Sequence, residues 1–405
     1  MPKTIATTPS WYWPDGVCRV LGIPPVPLRA AAVDVPARRD PDAPAAVSGE
    51  RTLSQAALAV QVDAVARALR AAPAPGSVLV SAGPSVAGIV AVLGALSSGR
   101  PAVLAPPAAL AGTGPAPGTE VGPVVADDEG AAALAASGLA ASSVDDLVAQ
   151  AHDLPALPGG GDSQAGLRLP TACLAGRDGP VWHSQRSILA GALALQAFLT
   201  PPPGTTWLTI ASPCTWDGLC NLLVARMSGS TVVVARPGPD AEEAAERHGP
   251  AWTSATLDEA ARSWAGGRRR KRVAAGAGRF LLATVDGPFD PDERRAVGGA
   301  AGADVLTVFG QPETGPVLAA HPSWFLDEAV GVPVPNMHVL PADPDTGEPV
   351  DVLWELLDRA MVSVWSPSLA VAGIEPGPGL PAGRRYVTGV LAASDPNGML
   401  YLVDE

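Results

Sequence analysis

Five residues of this chain have side chains suited to chemistry: His183, Asp217, Glu313, Cys214 and Trp216. Trp216 directly precedes Asp217, so the pair could set an apolar wall and a proton acceptor around a bound organic group. The same two residues equally suit core packing and a helix start near Gly218, because Asp before an apolar run commonly caps a helix. His183 carries an imidazole that could act as a general base near neutral pH, or serve as a hydrogen-bonded structural histidine. Cys214 could be a nucleophile, although a lone thiol among apolar neighbours is more often inert packing. Glu313 and the nearby His321 offer a carboxylate and an imidazole. No Ser-His-Asp arrangement, Walker loop or zinc spacing accompanies them, and Cys18, Cys173, Cys214 and Cys220 show no paired metal spacing. No metal centre is expected.

The elements that must position these residues follow a strand-turn-helix rhythm. Gly76 to Ala82 leads to Val86 to Ser98, Trp207 to Ile210 leads to Gly218 to Met227 and then Thr231 to Ala235, and Phe280 to Thr284 leads to Pro291 to Gly298. Short β-rich runs alternating with amphipathic helices predict mostly parallel sheets covered on both faces. Pro106 to Glu129 and Leu154 to Gly166 are rich in Gly, Pro and Ala and read as loops. Beyond Gly331 short strands dominate, over Met337 to Leu340, Val352 to Leu356 and Met399 to Val403, which predicts a small β-rich part.

A chain of 405 residues, 47% of them apolar, exceeds the usual size of one compact domain. The apolar stretch Val86 to Leu104 is interrupted by Gly, Ser and Arg, short of the roughly 20 clean residues that a membrane span needs. Met1 to Trp13 lacks the apolar core of a signal peptide. With few cysteines and no framework spacing, a cytoplasmic location is expected. The net charge of -13 opposes nucleic-acid binding. The one basic run, Arg268-Arg269-Arg270-Lys271-Arg272, suits a solvated loop edge.

Seven motifs in order resemble the amino-terminal part of the adenylate-forming superfamily, with acyl-CoA ligases the nearest kind. Glu50 to Leu58 resembles a strand and helix start, "RTLTYAEL", and Ala95 to Pro106 resembles "A-LKAGA-YVPL-P". Pro180 to Ser187 is similar to "GVVHSHRS", Phe309 to Pro316 to "YGMTETGP", and Asp343 to Val350 to "DPDTGEPV". Tyr386 to Val390 stands where "YRTGD" is usual, and Asn397 to Tyr401 resembles "DGYLY". The resemblance implies an α/β fold: a large domain of two mixed, largely parallel sheets flanked by helices, with a small distorted β-barrel subdomain. It divides the chain into residues 1–165, residues 166–330 with the phosphate loop and acyl cleft, and residues 331–405. Asp404 would be the remnant of the interdomain hinge, so the carboxy-terminal lid domain is expected to be absent.

Adenylation joins a carboxylate to the α-phosphorus of ATP and needs groups that neutralise charge on phosphate oxygens. Against the family's T-S-G-S-T-G-x-P-K-G, this chain reads Thr171-Ala172-Cys173-Leu174-Ala175-Gly176-Arg177-Asp178-Gly179-Pro180. Thr171 and Gly176 survive, the lysine position holds Gly179, and Asp178 adds a negative charge beside where a triphosphate would lie. Val285-Asp286-Gly287-Pro288 stands at the adenine turn, Pro312 replaces a threonine directed at the α-phosphate, and Val390 replaces the ribose-binding aspartate. Glu313, the magnesium-binding glutamate of the motif, is intact. The acyl side keeps its character. It implies a cleft between Ser212 to Gly218 and Phe309-Gly310, with Trp216 and Cys214 as further substrate contacts and His183, Asp217 and Glu313 as candidate catalytic groups.

The expected protein is therefore acyl-CoA ligase-like, without ATP-dependent adenylation. It would act by transfer, condensation or cyclisation on a small acyl or aryl substrate, free or presented on CoA or a carrier protein. No cofactor is expected. ATP and Mg enter only under the alternative of an acid:AMP ligase completed in trans by a separate lid. A third reading is a non-catalytic partner of a carrier protein or sibling enzyme.

Overall fold

Short runs of Val and Thr such as Thr231–Val234 become strands because β-branched side chains suit a pleated surface. The computed structural model describes residues 13–110, 120–156, 166–264, 279–350, 352, 354, 357–373, 385–396 and 398–404. The basic run at 268–272 lies outside them, as does Glu405.

One sheet has nine strands, in the order Val332–Pro333, Gly315–Ala319, Asp304–Gln311, Phe280–Val285, Trp252–Thr256, Thr206–Thr209, Thr231–Val234, Pro44–Ser48 and Arg51–Ser54. From Asp304–Gln311 to Pro44–Ser48 every pairing is parallel, and antiparallel strands flank both ends. A second sheet of six runs Ser142–Ser143, Val121–Ala126, Ser77–Ser81, Ala102–Leu104, Pro170–Ala175 and Pro180–Ser184, parallel except for its last pair. The small β-rich part is a four-stranded antiparallel sheet, His338–Ala342, Ala360–Trp365, Tyr386–Ser394 and Leu400–Val403. The two mixed, largely parallel sheets of the expected fold are thus present.

Three local expectations change. Val121–Ala126 is a strand, and helix Asp128–Ala136 begins, within the stretch read as loop. The Gly and Pro content of that stretch hid the end Val125-Ala126, which is buried beside Ser77–Ser81. Val352 to Leu356 supplies no strand among its described residues; the strand is Ala360–Trp365. The boundary near residue 165 does not separate sheets, since Pro170–Ala175 pairs with Ala102–Leu104 and Pro44–Ser48 pairs with Thr231–Val234. Periodicity along the chain says which segments are strands but not which segments pair.

Helix Gln185–Leu199 starts where the strand Pro180–Ser184 ends and packs on Gly315–Ala319 of the nine-stranded sheet and on helix Trp216–Met227. Ser184 caps it through the Ser187 amide, and Ser187 returns the bond to the Ser184 amide, a reciprocal cap that fixes the entry angle. Helix Trp216–Met227 is anchored at its far end by Arg226, wholly buried, which donates to Ala32 O, Ala45 O and Gln55 Oε1. Burial lowers the Arg226 pKa to about 10, which still leaves it charged at pH 7. Trp207 stacks on its cross-strand neighbour Trp252, 5.3 Å between centroids.

Candidate functional site

Thr215 sets the start of helix Trp216–Met227: its hydroxyl accepts from the Gly218 amide at 3.2 Å. Asp217 is therefore not the cap but the second helical residue. Trp216 and Cys220 share a helix face one turn apart and line a narrow cleft with Leu174, His183, Ser187, Pro312, Gly315 and Ser368. The cleft space is about 30 Å³, enough for a water or two, since one occupies about 10–15 Å³ on that measure. A methyl group built on Gly310 would stand 2.6 Å from Trp216 Cη2, so the indole fills the space over that glycine. Phe309, wholly buried in the same strand, belongs to the core beneath.

His183 is 4% exposed in this cleft. Its Nε2–H donates to Pro312 O at 2.6 Å, which leaves Nδ1 to accept from the Ser187 hydroxyl at 3.3 Å. Burial lowers its pKa, against the opposing effect of the Pro312 bond. The imidazole is neutral and held at both nitrogens, so this geometry suits positioning of the Pro312 turn better than proton abstraction.

Asp217 and Cys214 stand apart from the cleft lining. Asp217 is 4% exposed with Oδ2 unpartnered; burial raises its pKa, opposed by its bonds to Thr215 and Gly218. Its charge acts on Glu259 and Cys220. Cys214 Sγ points at Val80 O, 3.7 Å away in the six-stranded sheet, and burial pushes the thiol up to about 12. That removes it as a nucleophile within reach of a thioester.

Glu313, 2% exposed, lies under the turn that joins Pro170–Ala175 to Pro180–Ser184. The turn closes by a Gly176 N–H bond to Gly179 O at 2.8 Å. Glu313 Oε1 accepts from the Arg177 amide at 2.6 Å, while Oε2 has no partner. Glu313 is not bonded to its neighbour Thr314 or to Arg186: Thr314 Oγ1 donates to Gly315 O and Arg186 to Ile23 O. His321 packs edge-on against Phe198 and bonds Ser323, with no ion pair to Glu313. Arg177 itself was not among the expected site residues. Its guanidinium donates to Thr388 O, 211 positions along the chain, and nothing in the local sequence around Arg177 announces such a partner.

A larger hollow of about 250 Å³ lies elsewhere, lined by Arg51, Ser85, Asp127 and Arg236 among others. Two exposed ion pairs line it, Arg51 with Asp145 and Arg236 with Glu129, and none of the expected site residues do. Among the described residues no group of three or more His, Cys, Asp or Glu could hold a metal ion, and no helix is long and apolar enough to cross a membrane.

The family profile of AMP-binding enzymes matches residues 176–353. No curated protein matches the sequence. Among solved structures, a benzoate CoA ligase from Burkholderia xenovorans LB400 is similar at TM-score 0.76 and 18% identity, over 93% of this chain and 79% of that one. A long-chain-fatty-acid-CoA ligase from Archaeoglobus fulgidus matches at 0.75 and 12% identity, over 97% and 86%. The o-succinylbenzoate CoA synthetase of Bacillus subtilis matches at 0.72 and 16%, over 94% and 78%. The chain shares the fold of these CoA ligases, in keeping with the resemblance of its seven motifs.

Proposed function

We propose that this is an acyl-CoA ligase-like protein of specialised metabolism that does not adenylate, and that its cleft at His183, Trp216 and Pro312 receives a small acyl or aryl group already activated as a thioester. The carrier would be CoA or a carrier protein, and the setting cytoplasmic. The observation that carries the reading is the contact of Glu313 Oε1 with the Arg177 amide at 2.6 Å. A methyl group on Gly176 would lie 2.5 Å from the same oxygen, so the turn is packed directly on the carboxylate that a magnesium ion would need. A closed turn bearing Asp178 and no lysine is a poor donor set for a triphosphate. On this reading the protein works without ATP and Mg. With about 30 Å³ of space, anything larger than a methyl-sized group enters only when the Trp216 indole turns away from Gly310.

The reading of an acid:AMP ligase completed in trans has one observation in its favour: Glu313 Oε2 is buried and unpartnered, as a metal-binding oxygen would be. Calorimetry and thermal shift with Mg-ATP, beside acyl- and aryl-CoA thioesters, separate the readings. Saturable stabilisation by Mg-ATP, or pyrophosphate exchange with any acid, overturns the ATP-free reading. Binding of a thioester without response to ATP supports it. A stable complex with a carrier protein and no turnover favours the non-catalytic role.

A further inference from the structure

The turn at 176–179 touches more than Glu313. Arg177 Nη1 donates to Thr388 O at 2.8 Å, and the same carbonyl accepts from Gln311 Nε2 at 3.1 Å. Thr388 lies in Tyr386–Ser394, the long strand of the small sheet, and Gln311 ends the strand Asp304–Gln311 of the nine-stranded sheet. One carbonyl oxygen thus joins the turn, the large sheet and the small sheet. A glycine stands on the receiving side, against the end of the Arg177 side chain. Gly389 has φ +69°, in the left-handed region, and any Cβ there would collide with the Arg177 guanidinium. On the other side of Arg177, Gly176 has no room for a Cβ beside Glu313 Oε1. The arginine is held between two glycine positions, its amide on one sheet's carboxylate and its side chain on another sheet's backbone.

We infer that Arg177 is a built-in clasp that ties the small sheet to the large domain. It occupies, from within the chain, the space between the Glu313 motif and the Thr388–Val390 segment that the resemblance assigns to nucleotide. The inference rests on the ATP-free reading of the cleft. It adds to it that a charge-assisted bond from a guanidinium within the chain bridges these elements. Arg177 is itself an exposed residue, so its side chain can be removed without opening the core.

Hydrogen exchange on the intact chain tests the clasp. In Arg177→Ala, amide exchange in Tyr386–Ser394 rises about ten-fold, the effect of losing one hydrogen bond to a charged group, while His338–Ala342 is unchanged. Arg177→Lys keeps the charge but not the planar fork and falls between the two. Exchange in Tyr386–Ser394 equal to the wild type in both variants overturns the clasp. Stabilisation of the wild-type chain by Mg-ATP overturns the functional reading instead, so the two fail by separate measurements.

Discussion

The indole of Trp216 closes over Gly310: its Cη2 stands 2.6 Å from where a side-chain methyl of residue 310 would begin. That pairing of the largest side chain with the smallest reduces the acyl cleft to a slot. Gly310→Ala collides with both the indole and the Gly315 carbonyl, and overpacking of this kind costs about 1–3 kcal/mol. Trp216→Ala does the reverse. It costs about 2 kcal/mol, less than the 3–5 of a fully buried Trp because this one is partly exposed, and it opens room for a ring. Urea unfolding measures both costs, and thermal shift with benzoate shows whether the enlarged cleft binds where the wild type does not.

His183 makes stability fall on the acid side of neutrality. Its folded pKa is lowered by burial, so its contribution is present above the unfolded value near 6.5 and is lost as pH falls through the folded one. In His183→Gln the dependence between pH 7 and 5 flattens relative to the wild type. In His183→Ala the Pro312 carbonyl also loses its donor, at about 1–3 kcal/mol. Denaturant midpoints measured across that pH range decide the point.

Asp217 works in the opposite sense. Burial raises its folded pKa, and Glu259, raised first by burial and then by Asp217, follows the same direction. A raised acid contributes stability that is fully present below its unfolded pKa and is lost as pH rises through the folded one. Asp217→Asn therefore gains on the wild type as pH rises from 4 to 8, by on the order of 1 kcal/mol. A difference in Tm that does not change with pH would refute this.

Thiol chemistry separates Cys18 from the other cysteines. Cys18 is exposed, whereas Cys173, Cys214 and Cys220 are buried, with thiols raised to about 11, 12 and 12. Because the thiolate is the reactive form, a disulfide reagent under native conditions should titrate Cys18 alone and reach all four only after unfolding. Rapid native reaction at Cys214 would restore it as a nucleophile.

The parts that were legible in the sequence are those decided locally. The apolar run Val86–Ser97 is a helix, Pro291–Ala301 is another, and the order of seven motifs gave the fold. Asp217 as a cap was wrong by two positions, because Thr215 and Asp217 both have oxygen acceptors and only backbone geometry chooses between them. The grouping of His183 with Trp216, and the separation of both from Cys214, depend on which sheet each strand joins. Arg177 and Thr388 lie far apart along the chain, and a solvated arginine in a glycine turn carries no mark of what it will touch.

The pairing of Pro44–Ser48 with Thr231–Val234 has a consequence for synthesis. The early strand leaves the ribosome long before its parallel neighbour exists, and no shorter loop can complete that part of the sheet. Until residue 234 has emerged, the amino-terminal half presents the open edge of a valine-containing strand, a natural substrate for chaperones and a site for mispairing between nascent chains. Expression of fragments ending before that residue should give insoluble protein, whatever chemistry the finished cleft performs.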